Sequence, residues 1–262
     1  MKLLMNFFRK KEKSPAATRQ VPKKKKREIT PERIGELGEY KINLQLEQFP
    51  PNHKHISDLM LKNPKAKSGY SQIDHIFICP YGIFVIETKN YAGKIYGGKE
   101  NKQWTVNGKF KMMNPFRQNY GHIESIKACL ENCDDNSFIS MISFTKRAVF
   151  NISPELRKIQ SDDLCVYDTE LTEYINRKIH VIKLQNSKPR FSDEEIITMY
   201  NTLTELNVDD PVQREKHKRA FKGEAACVIC KDTVSDKVRK YCLSHKKFEG
   251  KIYCYTHQKS IK

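Results

Sequence analysis

The chain has 262 residues, 38% of them hydrophobic and 30% charged, which fits one domain of ordinary size plus a small appendage. No apolar run approaches the roughly 20 residues of a membrane span, so a helical membrane protein is excluded at this level. A formal net charge of +17 points to a polyanionic partner, nucleic acid before an anionic lipid surface.

The charge is uneven. Residues 1–30 hold 11 Lys or Arg against Glu12 and Glu28, so +9 sits in the first 30 residues and +8 in the rest. Residues 1–29, with the run Lys23 to Arg27, are predicted to be a disordered basic tail; a plain solvated segment is the alternative to a polyanion-binding one. Met1 to Phe8 is mildly apolar but too short for a secretory signal. Its aromatics beside cations would suit a weak membrane-surface contact.

Thr30-Pro31-Glu32 reads as N-cap, first helical residue and an acid in the first turn. A helix is expected to about Phe49, with Ile34, Leu37, Tyr40 and Leu44 on one face. Glu36 and Glu39 lie on it beside Gly35 and Gly38, which would let another backbone come close. Two apolar runs follow, Gln72 to Cys79 and Ile83 to Lys89, with Pro80-Tyr81-Gly82 as the turn between them. In the second run Ile83, Val85, Glu87 and Lys89 share one face; Phe84, Ile86 and Thr88 share the other. A two-residue turn would pair Cys79 with Gly82 and set Asp74 opposite Glu87. A bulge at Gly82 would move Asp74 to the wrong face unless a second bulge compensated.

Asn107-Gly108 signals a hairpin, and Asn114-Pro115 starts a helix to about Asn132 with Phe116, Tyr120, Ile123 and Leu130 inward. Gln118 and His122 share one face of it. Strands are expected at Phe138–Phe144 and Arg147–Ile152, a helix at Leu171–Arg177, and a strand at His180–Leu184. A last helix runs from the capping box Ser192-x-x-Glu195 to about Asn207. Residues 30–207 thus form the main domain, 208–226 a polar linker, and 227–262 a small C-terminal module.

Asp74, Glu87 and Lys89 are the residue set that phosphodiester hydrolysis needs. Mg²⁺ or Mn²⁺ takes oxygen ligands, here the two carboxylates with the Thr88 carbonyl as a third. Lys89 would orient and deprotonate the attacking water, and Glu39 would complete the acidic set. The bland alternative is an exposed cross-strand ion pair. The run Ile83 to Ile86 is too apolar for a solvated edge, so the charges beyond it need a partner or a metal.

Gly35-Glu36-Leu37-Gly38-Glu39, Gln72-Ile73-Asp74-His75, Gly82 to Asn90, Trp104, and Asn114-Pro115 with Gln118 and His122 occur in order. This stretch, roughly 31–150, resembles the nuclease-related domain (NERD) family, which is similar to the restriction-endonuclease-like PD-(D/E)xK superfamily. The resemblance implies an α/β fold with a restriction-endonuclease-like mixed sheet flanked by helices. It implies Asp74 and Glu87 as Mg²⁺ ligands, Lys89 as catalytic lysine, Glu39 before Glu36 as the early helical acid, and Gln118 as a supporting residue. His122 is open between a site role and a structural one. Ile73 stands where the superfamily name carries proline, a position that varies.

Cys79, Cys129, Cys133 and Cys165 sit in apolar segments and read as core residues of a reducing compartment. The other four cysteines crowd with histidines: Cys227-x-x-Cys230, Cys242-x-x-His245 and Cys254-x-x-His257. Such pairs are zinc-ligand usage. Cys227, Cys230, Cys254 and His257 are the preferred structural Zn²⁺ ligands, with Cys242 the leading substitute and His245 the next. Phe248-x-Gly250-x-x-Tyr253 looks like a hairpin leading into a knuckle, as in zinc ribbons.

Two functional classes remain. One is a cytoplasmic, Mg²⁺-dependent nuclease acting on DNA rather than RNA. The other is a non-catalytic nucleic-acid binder on the same scaffold, with the zinc module as a possible docking point for a protein partner. A membrane tether at Met1–Arg27 is a third, weaker reading.

Overall fold

A computed structural model describes residues 31–130, 133–221, 225–232 and 234–261. The basic tail at 1–29, with its proposed membrane contact, lies outside the described residues. Helix α1 (Pro31–Leu46) precedes a five-stranded sheet built from β1 (Lys54–Lys62), β2 (Tyr70–Cys79), β3 (Gly82–Lys89), β7 (Phe138–Phe144) and β9 (Asp163–Tyr167). Strands β1, β2 and β3 are antiparallel, and β3, β7 and β9 are parallel. The order is β1-β2-β3-β7-β9, so β3 is central. A smaller sheet, also mixed, has the order β6-β5-β4-β8, from β4 (Gly93–Gly97), β5 (Gln103–Val106), β6 (Phe110–Met113) and β8 (Ala148–Ile152). The expected α/β architecture, a mixed sheet flanked by helices, is the one observed.

Alternation along β2 and β3 divides the core. Phe77, Cys79, Phe84 and Ile86 pack against Ile42 and Leu46 of α1 and against α3 (Leu171–Gln185). Ile76, Ile78, Ile83 and Val85 pack against α2 (Pro115–Lys127) and α4 (Asp193–Glu205). A third cluster around the fully buried Trp104 joins the smaller sheet to β7 through Phe144 and Ile142. At the α4 start, the predicted capping box is formed: Ser192 Oγ accepts from the Glu195 amide and Glu195 Oε2 from the Ser192 amide.

Several expectations need correction. The inward face of α1 is Ile42 and Leu46 with the half-buried Gly35, Gly38 and Glu39; Leu37, Tyr40 and Leu44 are exposed. No backbone presses on the glycines: a methyl group at Gly38 would meet only Thr145 Cγ2, at 4.0 Å, and at Gly35 nothing within 4 Å. Both instead line an opening of about 110 Å³ beside Glu39, Thr88 and Ser143. In α2, Tyr120 points to solvent while Phe116, Asn119, His122 and Ile126 are buried. The strand expected at His180–Leu184 is the second half of α3, because Ile175, Ile179 and Ile182 recur at helical spacing on its buried face. Residues 208–226, expected as a linker, carry helix α5 (Pro211–Phe221). Cys79 and Cys165 are core residues; Cys129 and Cys133 are only half-buried, and none of the eight cysteines is in a disulfide.

Candidate active site and metal centres

The Pro80-Tyr81 turn pairs Cys79 with Gly82, and the ladder continues unbroken to His75 opposite Ile86. The two-residue reading of the turn is therefore the correct one; the ladder ends one pair short of Asp74 and Glu87. On the other edge of β2 the ladder with β1 is interrupted at Asp58 and Asp74 but keeps its register, Ser57 opposite His75 and Leu59 opposite Ile73, and Asp58 takes a left-handed φ of 54°. Alternation breaks there, and Ile73 joins Ile76 in the same core cluster. The Asp74 carboxylate reaches across to β3. Its Oδ2 accepts from the Thr88 amide and the Thr88 hydroxyl, both at 2.7 Å.

Glu87 is 4% exposed and is the hub of the site. Lys89 Nζ donates to its Oε1 at 2.5 Å, and Gln118 Nε2 to the same oxygen at 2.7 Å. Gln118 Oε1 in turn accepts from Lys89 at 3.0 Å. His122 Nε2 stands 3.3 Å from Oε2. Only this ring faces Oε2, at ion-pair rather than close hydrogen-bond geometry. Helix α2 is held in place for the task. Asn114 caps it through the Phe116 amide and donates to the carbonyls of Gly98, Lys99 and Asn101. Asn119 donates to the Val85 carbonyl and to Ser140, fixing the helix across β3 and β7.

The two acids titrate apart. Burial and the neighbouring Glu87 charge push Asp74 well above the usual carboxylate range, against the Thr88 amide. Burial would also raise Glu87, but the Lys89 ammonium and His122 outweigh it and hold it at about 2. Lys89 is raised above its ordinary value: burial opposes its charge, and Glu87 more than compensates. Glu39 from α1 is raised by burial first, then by the charges of Asp58 and Glu87, which places it at the same acidic end of the sheet. Glu36 is exposed and paired with Arg33. The carboxylate oxygens of Glu39, Asp74 and Glu87 do not gather as a set of three within 4.8 Å.

His75, beside the interruption, is buried; its Nδ1 meets Ser57 Oγ at 3.0 Å and its Nε2 has no partner. Burial, then His55, depresses it to about 4. The folded state keeps this ring neutral, while the unfolded chain takes up a proton near pH 6.5. Stability is therefore full above 6.5 and falls as the pH drops toward 4, by about 3 kcal/mol from this group. Urea unfolding at pH 7 and pH 5 checks this: His75→Gln should flatten the slope by about one proton's worth, and an unchanged slope would contradict the assignment.

The second centre is C-terminal. Sγ of Cys227, Cys230 and Cys254 and a ring nitrogen of His257 lie within 4.8 Å of one another, the one such group among the described residues. Cys230 Sγ to Cys254 Sγ is 3.7 Å, and Cys227 Sγ to His257 Nδ1 is 3.5 Å. Ligands about 2.3 Å (S) and 2.0 Å (N) from a tetrahedral centre stand roughly 3.5–3.8 Å apart, so the cage is of Zn²⁺ size. Burial disfavours the Cys227 thiolate, but the amides of Cys254, Cys230 and Ile229 aimed at its sulfur lower its pKa on balance. Cys242 is excluded from the cage: its sulfur is buried against Tyr253 and Gln258. His245 is outside the cage too: its Nδ1 meets the Tyr241 carbonyl at 2.8 Å and its ring lies against the Tyr241 ring. No ribbon hairpin forms before Cys254. The chain turns through Glu249 and Gly250, both at positive φ, after a short 3₁₀ turn, and helix α6 (Asp236–Ser244) packs beside it.

The match to known proteins falls on the first of these centres. The nuclease-related domain family matches residues 34–145, which include Glu39, Asp74, Glu87, Lys89, Gln118 and His122.

Residues 34–145 are a NERD domain.

An uncharacterized protein of Bacillus anthracis is 28% identical over 201 residues, covering 73% of this chain and 85% of that protein. No solved structure matches the chain. The NERD match ends at β7, so α3, α4, α5 and the Cys/His module lie outside it. Sequence reasoning named Thr88 only for its carbonyl and missed its amide and hydroxyl as the clamp on Asp74; it also missed Asn119, which ties α2 to β3, and Asp58 at the interruption of β1. Only Asn119, four residues before Ile123 on the buried side of α2, left a visible signal, a polar residue at an inward position.

Proposed function

We propose that this protein is a metal-dependent nuclease that hydrolyses phosphodiester bonds, of DNA in preference to RNA, and that its site belongs to the PD-(D/E)xK type. The observation that carries the reading is the Glu87 carboxylate: buried, ionised, fixed by Lys89 and Gln118 through one oxygen, and faced on the other only by the His122 ring at 3.3 Å. A buried anion with an oxygen so lightly held fits a hard cation. Asp74 fits as its partner, since a charge-neutralising ion would reverse the pressure that keeps its proton on. Asp74 and Glu87 would hold Mg²⁺ or Mn²⁺, with the Thr88 carbonyl as a further oxygen.

Such an ion supplies charge neutralisation and an acidified water when bound. The chain's own residues do the rest. Gln118 bridges the Glu87 carboxylate and the Lys89 ammonium, so neither needs to reorganise. Lys89 keeps its proton while Glu87 faces it. Once that carboxylate is shared, the hold weakens, and Lys89 can offset phosphate charge or accept a proton from water. Glu39 approaches from α1, along the opening left by Gly35 and Gly38. Cys227, Cys230, Cys254 and His257 would bind a structural Zn²⁺, since four thiol or imidazole ligands leave no open position for chemistry. Eight free cysteines suit a reducing, cytoplasmic location. No helix among the described residues is long and apolar enough to cross a membrane.

The second reading is a nucleic-acid binder without turnover. It is favoured by the looseness of the Glu39, Asp74 and Glu87 oxygens. Cleavage assays with Mg²⁺ or Mn²⁺ on DNA and RNA separate the two. The nuclease reading expects turnover by the wild type and none by Glu87→Ala or Lys89→Ala; salt-sensitive binding without turnover would favour the other.

A further inference from the structure

Helix α5 carries no apolar stripe, yet it is docked. Arg214 Nε donates to the Val208 carbonyl, and its terminal nitrogens to Asp58 Oδ2 at 2.7 Å, the Asp58 carbonyl at 2.9 Å and Asn207 Oδ1 at 3.1 Å. His217 is 4% exposed and meets Ser68 Oγ at 2.8 Å. Gln213 accepts from the Tyr70 hydroxyl, and Lys67 reaches the Ala220 carbonyl. Asp58 is the residue where the ladder is interrupted, opposite Asp74 in the register of β1 and β2. The helix is thus anchored one strand away from an acid of the site.

Arg214, His217 and Lys218 lie three and four residues apart, on one stripe of the helix. Arg214 and His217 fix that stripe against the domain, so Lys218 follows on the same side. Its charge is felt at Glu39. The outer face carries a different cation, Arg219, paired with Glu215 at 2.9 Å. Further along, Lys216 pairs with Asp232 at 2.9 Å, beside the knuckle of Cys227 and Cys230.

A phosphodiester approaching this end of the sheet meets Glu39, Asp58, Asp74 and Glu87. Lys89 is spent on Glu87 and Gln118, and Arg214 on Asp58. A polyanion needs a further cation at the mouth, and Lys218 is exposed there. We infer that α5, outside the matched NERD residues, forms a wall of the phosphodiester site, and that Lys218 is its contact to the substrate backbone. This rests on the reading of the acidic cluster as a phosphodiester site. Helix α5 is then a specificity element: it narrows the mouth and ties the Cys/His module to it through Lys216.

The test compares two variants of equal charge. Full-length wild type, Lys218→Gln, Lys218→Arg and Arg219→Gln are titrated onto a fluorescent DNA duplex at several salt concentrations without added Mg²⁺. Lys218→Gln should weaken binding several-fold and reduce the slope of log K against log salt by about 1, Lys218→Arg should restore both, and Arg219→Gln should leave the slope in place. In cleavage, Lys218→Gln should raise KM with kcat held. Equal effects of the two Gln variants, or none from Lys218→Gln, would overturn the inference. Failure of the nuclease reading shows separately, as wild-type cleavage by Glu87→Gln.

Discussion

Glu87→Gln is expected to lower metal-dependent cleavage by about 10²–10³-fold or more while substrate binding survives. The substitution keeps the shape of the side chain and its contact with Gln118. It removes the one buried negative charge that both the ion and Lys89 need. It also leaves the Lys89 ammonium buried beside a neutral amide, which costs about 3–5 kcal/mol when one partner of a buried pair is removed. Activity loss must therefore be separated from unfolding. Glu87→Gln combined with Lys89→Met removes both charges and should regain most of that stability, yet stay inactive. A double variant that recovers cleavage along with stability would mean that Glu87 matters only for the fold. Gln118→Ala is milder: it loosens the orientation of Glu87 and Lys89 without touching either charge, a change worth about 10–100-fold.

The second large effect is on the C-terminal module. Its buried apolar cluster is small: Cys227, Cys242, Phe248 and Tyr253 are the buried members. A core of four such side chains is too small to hold a segment of this length unaided. An ion bound by Cys227, Cys230, Cys254 and His257 would add folding energy that this core lacks. Chelation, or Cys254→Ser, should therefore abolish amide protection in α6 and around Cys254 to Gln258, and leave β2, β3 and β7 protected. Cys242→Ser should keep one Zn²⁺ per chain, because its sulfur faces Tyr253 and Gln258 rather than the cage. Undiminished protection after metal removal would show that packing alone holds the module.

What could be read from the chain follows from where side-chain chemistry dominates over context. The β2–β3 turn was legible because Pro80-Tyr81 fixes it, and the ladder follows from Cys79–Gly82 to His75–Ile86. The interruption at Asp58 was not, since it depends on one left-handed residue in a strand the sequence did not announce. Helix α1 misled because its buried face is made partly of glycine and glutamate, which carry no hydrophobic signal, while Leu37, Tyr40 and Leu44 look outward. The β-branched run in α3 suggested a strand; burial of Ile175, Ile179 and Ile182 on one side overrode that propensity. Helix α5 was hidden for the opposite reason. It docks through Arg214 and His217 rather than through apolar residues, so its sequence looks like solvent-facing linker. Knuckle pairs at Cys227 and Cys254 were plain from spacing, but excluding Cys242 needed the packing of Tyr253.

Anomalous diffraction from crystals grown with Mn²⁺ tests the central claim most directly. The account predicts a peak bounded by the carboxylates at positions 74 and 87, absent from Glu87→Gln crystals grown alongside. Crystals of active protein, saturated with the ion and showing density only elsewhere, would contradict it.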